Sequence, residues 1–158
     1  MTAAPVEQQK ILVVEDDPAV RELFLDVLAT EKYAVHTATN GEEALTQTRS
    51  LNPDLILLDI HMPKLDGVSF CKAIRDDQRT QDIPVIFITA YNSRERREEA
   101  IAAGGDDFMG KPFKIDELMI RIRAMLKAKQ ITDPLERLHQ YIQSVRQMRE
   151  NPPPQPAS

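Results

Sequence analysis

The stretch Ile11-Leu-Val-Val-Glu-Asp-Asp-Pro18 decides the fold, because an apolar run ends abruptly in three acidic residues and a proline. Four consecutive apolar residues are typical of a strand buried on both faces of a parallel sheet. Asp17 is predicted to be an N-cap, and Pro18 suits the first helical position. A buried strand followed directly by a helix is therefore predicted at the start of the chain.

The same pattern recurs along the sequence. Amphipathic helices are predicted after Asp17, after Asn40, after Asp66, over 93–103 and over 115–129. Strand and helix thus alternate five times, which predicts an α/β fold, a flavodoxin-like doubly wound (βα)5 sandwich. Its parallel five-stranded sheet is expected in the order 2-1-3-4-5. The later predicted strands are Tyr33–Val35, Leu55–Leu58, Val85–Thr89 and the weaker Asp107–Met109.

Composition narrows the class of protein. The chain has 158 residues, a formal net charge of -5 and a single cysteine, Cys71. One cysteine cannot form an internal disulfide, and a net negative charge argues against direct nucleic-acid binding. No signal-peptide pattern or membrane-length apolar run occurs, so a cytoplasmic protein without membrane insertion is expected. Cys71 lies on an apolar helical stripe and is expected to be a packed side chain rather than a redox sensor.

Acidic residues follow two of the predicted strands at the point where each strand ends. Glu15 and Asp16 follow the first strand, and Asp59 follows the third. Parallel strands 1 and 3 are neighbours in the expected order, so these carboxylates should converge. Two carboxylates about 4 Å apart repel by roughly 4 kcal/mol at an effective dielectric near 20. A hard cation relieves such repulsion, and a few carboxylates plus water suit Mg²⁺.

Two further polar residues end the remaining strands. Thr89 closes the fourth apolar run, and Lys111 follows the fifth and precedes Pro112. A carboxylate nucleophile, a metal ion, an ammonium group and a hydroxyl are together the groups that transfer a phosphoryl group onto an aspartate.

These motifs resemble the receiver domain of two-component response regulators, the CheY-like family. The resemblance extends from about residue 10 to residue 130. Four motifs in the same order carry it: Val13-Val-Glu-Asp-Asp17, Leu57-Leu-Asp-Ile-His-Met-Pro63 with Asp66-Gly67, Ile88-Thr-Ala90, and Lys111-Pro-Phe113.

The resemblance implies a role for each site residue. Asp59 would accept a phosphoryl group from the phosphohistidine of a sensor histidine kinase or phosphotransfer protein. Asp16, Asp59 and the backbone carbonyl of His61 would bind Mg²⁺, with Glu15 acting through water. Lys111 would pair with the phosphoryl oxygens, and its bond to the following proline would be cis.

The resemblance also implies a switch. Thr89 would move toward the phosphoryl group and let Phe108 turn inward, which remodels the face formed by helix four, strand five and helix five. A downstream protein target would read that face. Phe108 stands where many relatives carry Tyr, so rotation without a phenol hydrogen bond is expected. His61, two residues after Asp59, is hypothesised to tune the lifetime of the phosphoryl group.

A segment beyond the receiver restarts at Thr132-Asp-Pro134 and is predicted to be a helix within 131–150. Its apolar residues Leu135, Leu138, Ile142 and Val145 step by 3, 4 and 3. Two interpretations remain open: the helix folds back onto its own receiver, or it docks a partner or a second copy in a homodimer. Residues 1–9 and the proline-rich 151–158 are expected to be disordered tails flanking a receiver domain over 10–130.

Three functions compete at this point. The leading one is a stand-alone phosphorylation switch that signals by binding proteins and turns over no free substrate. A small-molecule phosphatase is disfavoured, because Asp59 is followed by Ile60 and His61 and so lacks a second carboxylate two residues on. A phosphorylation-independent adaptor, or a receiver fragment of a larger regulator whose effector domain is missing, is the remaining alternative.

Overall fold

The computed structural model describes residues 8–152. Residues 1–7 and 153–158, which make up most of the two predicted tails, lie outside the described residues. Five strands and six helices alternate along the chain up to the last two helices, which are consecutive. The strands are β1 (Lys10–Val14), β2 (Ala34–Ala38), β3 (Leu55–Leu58), β4 (Val85–Thr89) and β5 (Asp107–Gly110).

All strand pairs are parallel, and the sheet order is β2-β1-β3-β4-β5, which confirms the predicted fold class. Val14 pairs with Leu58 across β1 and β3. The next residues along these strands, Glu15 and Asp59, are therefore brought side by side at the carboxyl edge of the sheet.

The second strand differs from its prediction. It spans Ala34–Ala38 rather than 33–35, because hydrogen bonding to β1 continues through the half-buried His36 and Thr37. β2 is an edge strand, where polar side chains reach solvent, and its apolar pattern is correspondingly weak.

Side-chain N-caps begin five of the six helices within residues 8–152, among them the predicted cap Asp17. The side chains of Asp17, Asn40, Asp66, Ser93 and Asp133 each accept a hydrogen bond from a backbone N–H in the first turn. Such caps satisfy amide groups that would otherwise lack a partner. The helices are α1 (Pro18–Ala29), α2 (Gly41–Leu51), α3 (Gly67–Arg75), α4 (Arg94–Ala102), α5 (Ile115–Ala128) and α6 (Pro134–Glu150).

The three central strands, β1, β3 and β4, bury both of their faces, as their continuous apolar runs predicted. Val13 and Leu57 face a core shared with α1 and α5, whereas Val14 and Leu58 face a core shared with α2, α3 and α4. Cys71 is fully buried in the second core, which confirms that it is a packed side chain. A sheet covered by helices on both sides leaves its carboxyl edge as the place where polar side chains can gather.

The C-terminal helix α6 folds back onto the receiver. Tyr141 and Val145 are buried in the core shared with α5, and Met148 packs against that core. Leu135, Leu138 and Ile142 of the predicted apolar stripe are instead 75%, 49% and 47% exposed. α6 therefore uses a face rotated from the predicted one. None of the helices within 8–152 is long and apolar enough to cross a membrane.

Candidate functional site: an acidic cluster at the carboxyl edge of the sheet

Three carboxylates meet where β1 and β3 end. Glu15, Asp16 and Asp59 each place a carboxylate oxygen within 4.8 Å of the others. Glu15 and Asp59 are buried, with 2% and 7% of their surface exposed, whereas Asp16 is exposed. The cluster therefore has a buried base and one side open to solvent.

Lys111 supplies the positive charge of the cluster. Its Nζ donates to Oε2 of Glu15 at 2.9 Å and to Oδ2 of Asp59 at 3.1 Å. The residue follows β5, and its backbone N–H donates to the carbonyl of Thr89, the last residue of β4. The Lys111–Pro112 peptide bond is cis, as the resemblance implied. One ammonium group thus bridges the ends of β1 and β3.

The electrostatics of the cluster depend on burial and charge together. The pKa of Glu15 is raised to about 7, because burial and the charge on Asp59 outweigh the hydrogen bond from Lys111. Burial alone would lower the pKa of Lys111, but its hydrogen bond to Glu15 and the charge on Asp59 outweigh burial and raise it. Lys111 is therefore held in its charged form between two acidic side chains.

Local backbone packing fixes the position of Asp59. A Cβ atom at Gly67 would lie 2.2 Å from the carbonyl oxygen of Asp59, so only glycine lets the start of α3 approach this closely. The N–H of His61 donates to Oδ1 of Asp59 at 3.3 Å. The carboxylate is thus oriented by its own loop.

The two residues expected to switch lie on the neighbouring strands. Thr89 is fully buried, and its hydroxyl accepts a hydrogen bond from the N–H of Tyr91 at 3.2 Å. Phe108 on β5 is 8% exposed, and its ring centroid lies 6.5 Å from that of Phe87. The guanidinium of Arg97 on α4 lies 5.5 Å from the centre of the Phe108 ring. Phe108 is therefore already turned inward in this structure.

Two residues near the site were missed by sequence reasoning. The ring of Tyr91 packs against the ring of His61, with centroids 4.6 Å apart. Arg21 donates from Nη1 to the backbone carbonyls of Glu15 at 3.1 Å and Asp16 at 3.3 Å. Tyr91 lies two residues after Thr89 at a strand end, which was the available signal. Arg21 lies on a predicted helix surface, and nothing in the sequence distinguished it.

The cluster fits a magnesium ion. Its donors are all oxygen atoms, they are close together, and one side is exposed so that water ligands can complete the coordination. Asp16 and Asp59 would hold the ion, while Glu15 already shares the ammonium group of Lys111. The donor chemistry therefore suits Mg²⁺ better than a soft metal.

A sheet of order 2-1-3-4-5 with an acidic cluster and a lysine at its carboxyl edge defines a flavodoxin-like α/β domain with a candidate cation site. The family model of the response regulator receiver domain matches residues 11–123. The chain therefore belongs to the response regulator receiver domain family, and α6 lies beyond the matched region.

Known relatives agree with this assignment. The chain is 38% identical over 118 residues to the DNA-binding dual master transcriptional regulator RpaA of Synechocystis, covering 75% of this chain and 49% of RpaA. It thus spans about half the length of the curated relatives it matches. Phosphorylation and Mg²⁺ binding are typical of this family.

Solved structures of relatives superpose well on this one. A putative response regulator from Chloroflexus aurantiacus is 33% identical with a TM-score of 0.74, covering 77% of this chain and 99% of that one. The receiver domain of the sensor histidine kinase PA1611 from Pseudomonas aeruginosa is 34% identical with a TM-score of 0.67, covering 72% and 93%. That structure has a magnesium ion coordinated in its active-site cleft.

Proposed function

We propose that this protein is a phosphorylation switch in which Asp59 is the phosphoacceptor. The observation that carries the proposal is the buried Asp59 carboxylate, held between Lys111 and two further acidic residues at the carboxyl edge of the sheet. The donor would be the phosphohistidine of a sensor histidine kinase or of a phosphotransfer protein. The protein would act in the cytoplasm and turn over no free substrate.

The chemistry assigns each part of the reaction to an atom. An Oδ of Asp59 attacks phosphorus, the P–N bond to the donor imidazole breaks, and that imidazole leaves with its electron pair. Bound Mg²⁺ would supply charge neutralisation for the phosphoryl oxygens. Lys111 Nζ, now 3.1 Å from Oδ2 of Asp59, would follow a phosphoryl oxygen as it arrives. The Thr89 hydroxyl, which now accepts a hydrogen bond from the N–H of Tyr91, would instead donate one to another phosphoryl oxygen.

Metal binding is part of the proposal. Asp16, Asp59 and the carbonyl of His61 are proposed as direct ligands, and Glu15 as a ligand through water. The magnesium ion coordinated in the active-site cleft of the related PA1611 receiver domain supports a magnesium site in this chain. The arrangement of the acidic cluster supports it independently, because its oxygen atoms lie within 4.8 Å of one another.

The output would be a change in protein binding. Phe108 lies on β5 between α4 and α5, so a change at the Lys111 end of that strand would alter the surface formed by α4, β5 and α5. A downstream protein is the proposed reader of this surface, with no direct contact to nucleic acid. A homodimer is the alternative product of the same change.

The test is the intact mass of the protein after incubation with acetyl phosphate and Mg²⁺. One labile phosphoryl adduct is expected in the wild type and in Asp66→Asn, and none in Asp59→Asn. Asp66→Asn is the matched control, because Asp66 is a nearby acidic N-cap and asparagine also caps helices. An adduct that persists in Asp59→Asn, or no adduct in the wild type with acetyl phosphate or phosphoramidate, would contradict the proposal.

A second candidate is a receiver unit of a larger regulator. The observation that favours it is length, since the matched region covers only 49% of RpaA, a protein whose name describes it as DNA-binding. Mass spectrometry of the endogenous protein separates the two candidates. A mass near 17.9 kDa supports the shorter regulator, and a much larger mass that contains this sequence supports the second candidate.

A further inference from the structure

The C-terminal helix α6 is fastened to the receiver by polar contacts as well as by apolar ones. The Tyr141 hydroxyl donates to Oδ2 of Asp107, the first residue of β5. Arg149 near the end of α6 pairs with Glu117 in the first turn of α5. α6 runs antiparallel to α5. The Tyr141 contact therefore holds the middle of α6 against β5, and the Arg149 contact holds its end against the start of α5.

The contacts of α6 continue to the residue proposed as the switch. Arg121 on α5 donates from Nη1 to Oδ2 of Asp107 at 3.2 Å and to the backbone carbonyl of Phe108 at 3.2 Å. A chain of hydrogen bonds therefore leads from Tyr141 to the backbone of Phe108 through the side chains of Asp107 and Arg121. β5 is only four residues long, and Lys111 follows directly after it. Lys111 is thus only four residues along the chain from Asp107.

α6 also occupies groups that a partner of the α4-β5-α5 surface would need. Asp107 of β5 and Glu117 of α5, with Arg121 between them, form a cluster of charged side chains, and all three are engaged by α6 or by one another. An external protein that pairs with these charges must first displace α6.

The attachment of α6 is small enough to be reversible. Of its 17 residues only Tyr141, Ser144 and Val145 are buried. Leu135 is 75% exposed, and Leu138 is 49% exposed. A single helix of this length is marginal in water without tertiary contacts. Local opening of α6 therefore removes only these three of its own side chains from a buried environment, as expected for an element with few buried contacts.

We propose that α6 is an autoinhibitory clamp, which covers the charged side chains of β5 and α5 in the unphosphorylated protein and is released when Asp59 is phosphorylated. The proposal rests on the proposed function. A phosphoryl group brings close to two negative charges to Asp59 and draws the shared ammonium group of Lys111 away from Glu15. That movement pulls the end of β5, and it strains the Tyr141–Asp107 contact at the start of the same strand.

Thermodynamic linkage allows two tests of the clamp: the effect of phosphorylation on α6, and the effect of α6 on phosphorylation. If phosphorylation releases α6, then loosening α6 must favour phosphorylation by the same factor. Hydrogen exchange of the α6 amides in the full chain is expected to become at least about 5-fold faster with acetyl phosphate and Mg²⁺. Tyr141→Phe and Arg149→Gln should each speed the exchange without phosphate and should increase the fraction of phosphorylated protein at limiting acetyl phosphate.

Two control variants distinguish release of α6 by phosphorylation from a general destabilisation of the helix. Gln143→Ala changes an exposed residue of α6 and should behave as the wild type. Asp59→Asn should show no acceleration by acetyl phosphate. Exchange in α6 that is unchanged or slower in the phosphorylated wild type overturns the clamp while leaving the proposed function intact. Failure of the wild type to form any adduct contradicts the proposed function, and the clamp with it.

Discussion

Nζ of Lys111 lies 2.9 Å from Oε2 of Glu15, although the two residues are 96 positions apart in the sequence. Lys111→Met removes this ammonium group and leaves two buried carboxylates without their cation. We expect the free energy of unfolding in EDTA to fall by about 3 kcal/mol, because breaking a buried ion pair strands the remaining charge. Urea denaturation followed by circular dichroism measures the change.

The matched control is Lys127→Met, since Lys127 is an exposed lysine of α5. Its effect should stay within about 0.5 kcal/mol. Equal effects of the two substitutions would show that the Lys111 contacts contribute nothing to stability. The double variant Lys111→Met/Glu15→Gln should recover part of the loss, because one stranded carboxylate is then neutral.

Asp16→Asn is expected to lower the Mg²⁺ affinity at least about 10-fold, because it removes an exposed carboxylate from the acidic cluster. Isothermal titration calorimetry measures the affinity directly. Asp17→Asn serves as the control, since Asp17 caps α1 by accepting from the N–H of Ala19 at 2.9 Å and asparagine preserves a cap. An unaltered affinity in Asp16→Asn would remove Asp16 from the proposed ligand set.

The ring pair of His61 and Tyr91 is expected to limit access of water to a phosphoryl group on Asp59. The phosphoryl adduct should therefore hydrolyse several-fold faster in His61→Ala than in the wild type. The rate is measured as the loss of the adduct after the phosphoryl donor is removed. Tyr91→Phe keeps the ring and should leave the rate close to that of the wild type. A hydrolysis rate that does not change in His61→Ala would eliminate a role for this residue in phosphoryl lifetime.

Cys71 is expected to be unreactive in the native protein. Its thiol is fully buried, and burial raises its pKa to about 11. Only the thiolate reacts with thiol reagents, so the raised pKa lowers the reactive fraction near pH 8 by about 100-fold relative to an ordinary cysteine. Alkylation with iodoacetamide, timed by mass spectrometry, should be slow in buffer and fast in 8 M urea. Fast alkylation of the folded protein would favour a redox-sensing thiol.

Two substitutions in α6 distinguish its packed face from its exposed face. Val145→Ala deletes methyl groups from the core shared with α5 and should lower the unfolding free energy by about 1 to 2 kcal/mol. Leu138→Ser lies on the exposed stripe and should change it by less than about 0.5 kcal/mol. The opposite ranking would place the predicted stripe, rather than the Tyr141 face, against the receiver.

Sequence patterns were sufficient to predict the sheet and the acidic cluster, but not the packed face of α6. The order of the sheet and the meeting of Glu15 with Asp59 followed from continuous apolar runs ending in acidic residues. The face of α6 did not follow, because two apolar stripes share Val145 and both have helical spacing. The choice between them depends on partners for Tyr141 and Arg149 at Asp107 and Glu117, which are distant in sequence. The contact between the rings of His61 and Tyr91 could not be predicted either, because the two residues are distant in the sequence.

The hairpin formed by α5 and α6 reverses the direction in which the chain leaves the receiver. α5 starts after Lys111 at the carboxyl edge of the sheet and runs away from it. α6 returns, and its contact between Arg149 and Glu117 brings the chain back to the start of α5. A cargo domain or fluorescent reporter joined after Pro152 would consequently sit beside the edge of the sheet that carries the acidic cluster, instead of at the opposite edge.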